Sequence, residues 1–477
     1  IKHLYPSQSA IPVPILGSLA TQIRTSGGVS AQDKQNKRYQ EMSDRIATLA
    51  RASAAPRIVF ASGHEHTLQY IVNEGIRQIV SGSGSKQSYA TLSNDGLFSY
   101  ETPKEFDLET LPDVFPAFAK ASIYQPERIE KSSLFKSVWG TKYRNLYGTD
   151  INAKVAILDS IKGGLRVERA GGGHQTRSLR LVDKNGKEYN LRALKKSAVQ
   201  FLQTTVFKEN TVAASFEDTA AEDLLFDFYT AAHPYAALTL PKLSDAIGVY
   251  HTNPEVYYVP KQKALGNYNN EYGDELYLLV ERPEEHHNDL ESFGKPDDIE
   301  STADMFEKTR EDEKYKIDQE AFVRARMLDM LLGDWDRHQD QWRWAQFKKK
   351  DGSSLFKPIP RDRDQVYSNF DGALFATLRT MIGLTKQFAT YDAALDNVKW
   401  FNTAGAYLDR TLAQEADRDV WISQAQFIKD HLSDEVIEAA FKELPAEIYP
   451  DTTTQKIIKN MKIRRSNLVQ IAERYYD

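Results

Sequence analysis

The 477-residue chain contains no cysteine. Disulfides, thiolate nucleophiles and zinc–thiolate centres are therefore excluded, and a metal must be held by His, Asp, Glu, Asn or Gln side chains. The lack of cysteine suits a cytosol and a bacterial envelope equally, so it fixes no compartment. No stretch approaches the roughly 18–20 apolar residues that a membrane-spanning helix requires. Positive charge is not in excess either. The 61 Lys and Arg against 67 Asp and Glu leave a net charge of −6, which excludes a generally cationic nucleic-acid binder while permitting a local basic patch. No internal repeat is found. An initiator Met and a signal peptide are also lacking: the chain begins Ile1-Lys2-His3-Leu4 and reads as the continuation of something longer.

What is present is the balance of a soluble globular protein, with 41% hydrophobic and 27% charged residues. The length exceeds one ordinary core and predicts two or three domains. Residues 1–37 read as irregular, with a helix following over about 36–52. Strands are expected at 57–61 and 78–80, the second ending in the small-residue turn Ser81-Gly82-Ser83-Gly84-Ser85. Residues 101–150, with Pro103, Pro112, Pro116 and Pro126, form a connector. Beyond it, Ser178–Val182 and Glu188–Leu194 flank Asp183-Lys184-Asn185-Gly186-Lys187, a hairpin signal because Asn-Gly accepts positive φ. Helix is expected over 216–248 and strand at 256–259 and 276–280. An acidic, polar solvated loop or insertion is expected over 282–316, and mostly helix from Gln319 onward.

Two places carry chemistry. Gly63-His64-Glu65-His66 leaves a buried strand, so alternate positions aim both imidazoles one way and Gly63 permits a tight turn. Two surface histidines in a loop are the plain alternative. Farther on, an apolar helix ends at Gly333 and opens into Asp334-Trp335-Asp336-Arg337-His338-Gln339-Asp340-Gln341. About twenty-five residues later comes Pro360-Arg361-Asp362-Arg363-Asp364. Two carboxylate clusters on separate loops are what a phosphotransferase needs, one Asp orienting the accepting hydroxyl and another carrying metal ions that bridge nucleotide phosphates. The alternation of Asp and Arg equally suits a surface salt-bridge network. Gly171-Gly172-Gly173 can admit phosphates to backbone amides or simply turn a hairpin. Lys196 ends the strand begun at Glu188 and is a candidate for the α/β-phosphates, with Lys195 and Arg192 as competitors. Leu278-Leu279-Val280-Glu281-Arg282-Pro283 looks like a strand leading into a hinge, which puts Glu281 among the candidate cofactor-binding residues. Glu217 and Glu222 are candidates for a paired helix acid. His233-Pro234-Tyr235, unusual in a helical region, suggests a packing or lobe-contact role.

Residues Val59–Tyr70 followed by Ile79–Ser85 resemble the final metal-ligand motif of calcineurin-like metallophosphoesterases, over roughly residues 1–100. That resemblance implies that His64 and His66 belong to a two-metal centre. The earlier ligand motifs of the types DxH, GDxxD and GNHE do not precede them, so the centre is incomplete without a missing N-terminal half as partner. The Asp-Arg-His loop is similar to that of lipid and secretory-pathway kinases, and the later Asp-x-Asp-x-x-aromatic segment resembles spore-coat protein kinases. This match implies Asp336 as the catalytic Asp, with Gln341 standing where a metal-binding Asn or acid is usual. It implies Asp364, with Asp362 as rival, as the second-loop metal ligand, and ATP with Mg²⁺ or Mn²⁺ as cofactor. Most of the chain is also similar to large envelope proteins of Bacteroidetes-type bacteria, implying a periplasmic or outer-membrane setting with a β-barrel or envelope-complex partner.

The expected fold class is α+β: the C-terminal portion of an α/β metallophosphoesterase sandwich over 1–100, a connector over 101–150, and a two-lobed kinase-like domain. The β-rich N-lobe is expected over 151–282 and the mostly helical C-lobe over 283–477. The expected function is phosphoryl chemistry, and the alternative is a non-catalytic pseudokinase-type scaffold.

Overall fold

The computed structural model describes residues 45–46, 48, 59–62, 68–73, 76–81, 90–92, 98–100, 106–171, 176–196, 229–284, 286–373 and 390–477. The chain divides into two compact units, residues 1–106 with 173–175 and 196–228, and residues 107–172 with 176–195 and 229–477.

In the first unit, β1 (Val59–Ser62), β2 (Leu68–Asn73) and β3 (Ile76–Ser81) form a sheet in the order β1-β3-β2, with β1 parallel and β2 antiparallel to β3. The strands expected at 57–61 and 78–80 match β1 and β3, whereas β2 was not foreseen because its sequence was absorbed into the histidine motif. β4 (Ala90–Leu92) and β5 (Phe98–Tyr100) form a separate antiparallel pair. His64 and His66, and most of the helix expected at 36–52, lie outside the described residues.

The second unit is built on a seven-stranded sheet in the order β6-β7-β11-β12-β10-β9-β8. Its strands are β6 (Phe118–Ala121), β7 (Ile151–Val155), β8 (Leu165–Gly171), β9 (Thr176–Asp183), β10 (Glu188–Lys196), β11 (Glu255–Val259) and β12 (Glu275–Glu281). The β9–β10 turn forms where Asn-Gly predicts it. Gly186 takes φ +83°, and an Asp183 carboxylate oxygen accepts from the backbone N–H groups of Asn185 and Lys187, both at 2.8 Å. Alternation along β10 sends Tyr189, Leu191 and Ala193 into a core with Leu179, Leu181, Tyr277 and Leu279. Asn190, Arg192 and Leu194 share the opposite face.

Residues 282–316 are not the expected solvated loop. They carry β13 (Asp298–Ser301), α1 (Thr302–Glu311) and the start of β14 (Tyr315–Ile317). Phe293 and Met305 are fully buried there. A few apolar anchors spaced far apart suffice to dock such short elements, and the charged residues between them hide the signal. The expectation of mostly helix from Gln319 onward also needs correction. After α2 (Gln319–Leu332) the chain forms the hairpin β15 (Trp342–Lys348) and β16 (Ser354–Pro360). These complete a four-stranded sheet in the order β13-β15-β16-β14. Phe322 of α2 packs on Trp342 and Trp344, at ring separations of 5.3 and 6.0 Å, and burying each such side chain contributes roughly 1.5–3 kcal/mol. The C-terminal region is helical, with α3 (Arg418–His431), α4 (Asp434–Phe441), α5 (Thr452–Ser466) and α6 (Leu468–Tyr476). The second unit is thus mixed α+β, a sheet-rich part followed by a helical one. Among the described residues, no helix is long and apolar enough to cross a membrane.

Candidate active site

Helix α2 aims the site. Asp318 caps its N-terminus by accepting from the Ala321 N–H at 3.0 Å. Gly333 ends it at φ +74°, where a Cβ would meet Tyr391 Cδ2 at 2.7 Å, so only glycine suits the position. The chain turns at once into Asp334, whose N–H donates to the Asp329 carbonyl at 2.9 Å.

From there the alternating acids and bases part company. Arg326, Arg337, Asp329 and Asp334 are all essentially inaccessible. Arg363 turns inward with them, its Nη1 donating to Asp329 and, at 3.1 Å, to Asp334. Arg326 donates to Asp329 at 2.7 Å and to Asp409 at 2.7 and 3.1 Å. Arg337 lies 4.5 Å over the Trp342 ring and donates to the Arg361 and Gln341 carbonyls at 2.9 and 3.0 Å. One guanidinium therefore ties the Asp336 loop to the Asp362 loop. Burial pushes the Asp334 carboxyl up to about 6 despite the two arginines beside it. Burial raises Asp329 as well, but Arg363, Arg337 and Arg326 outweigh it and hold that carboxyl below its ordinary value. The surface network that the alternation suggested is in fact a buried one, and it consumes Asp334.

Asp336, Asp362 and Asp364 are left on the partly accessible side. Arg192 of β10 meets both later acids, its Nη2 lying 2.5 Å from Asp362 Oδ1 and 3.3 Å from Asp364 Oδ2. Burial disfavours its charge, yet the two carboxylates prevail and raise its pKa. Asp336 is raised too: burial raises it first and prevails over the attraction of His338 and Arg337, with Asp362 and Asp364 adding repulsion. Asp362 adopts φ +55° and Tyr367 φ +59°. Strained backbone of this kind concentrates where a turn must hold side chains in one direction.

The basic residues of β10 have different partners. Arg192 reaches the carboxylates, while Lys195 pairs with Glu275 at 3.3 Å. Lys196 is the last residue of β10 and Gly171 the last of β8. Gly172, Gly173, Glu217 and Glu222 lie outside the described residues. The Glu281 carboxylate accepts from the Asn253 backbone and side-chain N–H groups at 2.7 and 3.2 Å. Gln341 is buried, its Nε2 lies 3.2 Å from His338 Nε2, and its Oε1 has no hydrogen-bond partner.

No group of three or more His, Asp or Glu could cage a metal ion among the described residues. The donors beside Arg192 are the hard carboxylate oxygens of Asp362 and Asp364. That set fits Mg²⁺ or Mn²⁺ shared with substrate phosphates, since Mg²⁺ takes one or two carboxylates rather than an all-protein cage.

No family model and no curated protein matches this chain. Among solved structures, the chain is similar to a Rio2 kinase–ADP/Mg²⁺–phosphoaspartate complex from Chaetomium thermophilum at 13% identity, over 65% of this chain and 69% of that one, with a TM-score of 0.23. A likeness of that size leaves the functional reading to the geometry of the site.

Proposed function

We propose that the second unit, residues 107–172 with 176–195 and 229–477, forms a kinase-like phosphotransfer module that binds ATP with Mg²⁺ or Mn²⁺. The observation that carries this reading is the sorting of one Asp-Arg alternation into buried arginines and partly accessible Asp336, Asp362 and Asp364, the last two paired with Arg192 of the seven-stranded sheet. Asp336, its carboxyl raised above the ordinary range, orients the acceptor hydroxyl and takes its proton. Asp362, Asp364 and Gln341 Oε1 would hold the metal, which when bound neutralises charge between the nucleotide phosphates. Arg192 binds the polyphosphate. The backbone after Glu281 serves as the hinge.

A thermal-shift titration tests this. Millimolar ATP with Mn²⁺ should raise Tm in the wild type by mass action, and Asp364→Asn should abolish the rise. No rise in the wild type would sink the reading. A non-catalytic scaffold is the second reading, favoured by the neutral Gln341 and by the ion pair across the acids. It predicts nucleotide binding without turnover, in the wild type and in Asp336→Asn alike.

The phosphoesterase centre at His64 and His66, and the envelope setting, remain proposals from sequence resemblance.

A further inference from the structure

Arg361 follows β16 and is fixed at its base. Its N–H donates to the Gln341 carbonyl at 3.0 Å, and its own carbonyl accepts from Arg337 Nη1 at 2.9 Å. Arg343 of β15 pairs across the hairpin with Ile359, and alternation puts Arg343 and Arg361 on one face. The carboxylates nearby are engaged elsewhere. Asp362 meets Arg192 at 2.5 Å. One Glu284 oxygen serves both Arg282 and, at 3.6 Å, Arg343. Among the described residues, the Arg361 side chain has no ion pair and no hydrogen bond. Burial lowers its pKa to about 10, and repulsion from Arg343 and Arg192 adds to this against the attraction of Asp362 and Glu284. The group stays a cation at neutral pH, partly exposed, with its N–H donors unspent. A charge held partly out of water without a partner is costly until an anion meets it.

We propose that Arg361, with Arg343 beside it, is an oxyanion subsite that receives a phosphate group. The planar guanidinium fork matches two phosphate oxygens at once. Arg343 deepens the positive potential there, and a bound phosphate relieves the repulsion between the two arginines. This is a second phosphate contact besides Arg192, and it requires neither Asp362 nor Glu284 to change partner. The subsite rests on the phosphotransfer reading for what carries the phosphate, which is either the nucleotide or an acceptor that is itself phosphorylated.

Thermal-shift titrations of the whole chain with inorganic phosphate and with pyrophosphate test it, on wild type, Arg361→Gln and Arg361→Lys. Both anions should raise the wild-type Tm by mass action. Arg361→Gln should need about 10- to 100-fold more anion for the same rise. Arg361→Lys, which keeps the charge without the fork, should fall between the two. Without anion, Arg361→Gln should melt no lower than wild type, because the group it removes is a repelled cation. A wild-type response in Arg361→Gln overturns the subsite, and so does a wild type that responds to neither anion. Saturating adenylyl imidodiphosphate distinguishes the sources. If it abolishes the phosphate response, the subsite holds a phosphate of the nucleotide; if the response persists, the subsite holds that of the acceptor. A wild type that responds to phosphate but not to ATP with Mn²⁺ sinks the phosphotransfer reading and leaves the subsite standing. An ATP–Mn²⁺ response lost in Asp364→Asn, beside an unaltered phosphate response in Arg361→Gln, sinks the subsite alone.

Discussion

His233 is buried among aromatic rings, 5.1 Å from the ring centre of Tyr143 and 6.4 Å from that of Tyr367. Its Nδ1 accepts from the Tyr235 N–H at 3.3 Å and its Nε2 has no partner. Burial pulls its pKa from 6.5 down to about 4. The folded state thus refuses a proton that the unfolded chain accepts, so stability is whole above pH 6.5 and drains as pH falls towards 4. The gap amounts to about 3 kcal/mol. His233→Asn, which keeps an acceptor near the Nδ1 position, should flatten this part of the pH–stability curve in urea titrations. An unchanged slope between pH 6.5 and 4 would show that His233 is not its source. The sequence flagged His233 only as a packing residue, because no pattern along the chain reveals that Tyr143, ninety residues earlier, closes over it.

At the scale of elements, α2 and its cap decide where the acids point. Replacing Gly333 by Ala imposes a left-handed conformation on a residue with a Cβ and drives that Cβ onto Tyr391. The loss should be about 1–3 kcal/mol, seen as a lower urea midpoint at unchanged slope. Gly333 was legible beforehand as a helix stop, and so was the β9–β10 hairpin, since both depend on local backbone rules. The β15–β16 hairpin and the 282–316 elements were not. Trp342 and Trp344 lie in a strand whose other positions carry Arg343, Gln346 and Lys348, and its pairing partner β16 sets the structure more than its own composition does. The fate of the Asp-Arg alternation was equally illegible. Arg337 and Arg363 go inward because Asp329, on the buried face of α2, waits for them, and only the folded chain brings these three together. Removing one member of that network leaves a buried charge uncompensated. Arg363→Met should therefore cost about 3–5 kcal/mol, measured by chemical denaturation, whereas Asp340→Ala on the exposed loop should cost almost nothing.

Across the whole second unit, a clasp joins distant parts of the chain. Asp371 accepts from the Thr141 N–H at 2.8 Å, the Thr141 hydroxyl at 2.6 Å and the Lys142 N–H at 2.9 Å. Gly140 and Gly372 pass so closely that a Cβ on Gly372 would lie 2.4 Å from Gly140 N. Tyr143 reinforces the clasp by donating its hydroxyl to the Tyr367 carbonyl. Asp371→Ala strands two backbone donors and should lower stability by about 1–3 kcal/mol, while Thr141→Val removes a single hydroxyl donor and should cost about 1 kcal/mol. Equal losses would mean that the backbone donors find other partners.

The clasp also sets a schedule for biosynthesis. Thr141 and Asp371 are 230 residues apart, and a ribosome adds roughly 5–20 residues per second. Once the stretch around Thr141 has left the exit tunnel, it waits roughly ten to fifty seconds for its partner to be translated. The other six strands of the sheet, the last ending at Glu281, are made during that interval, so the sheet assembles before its clasp can close.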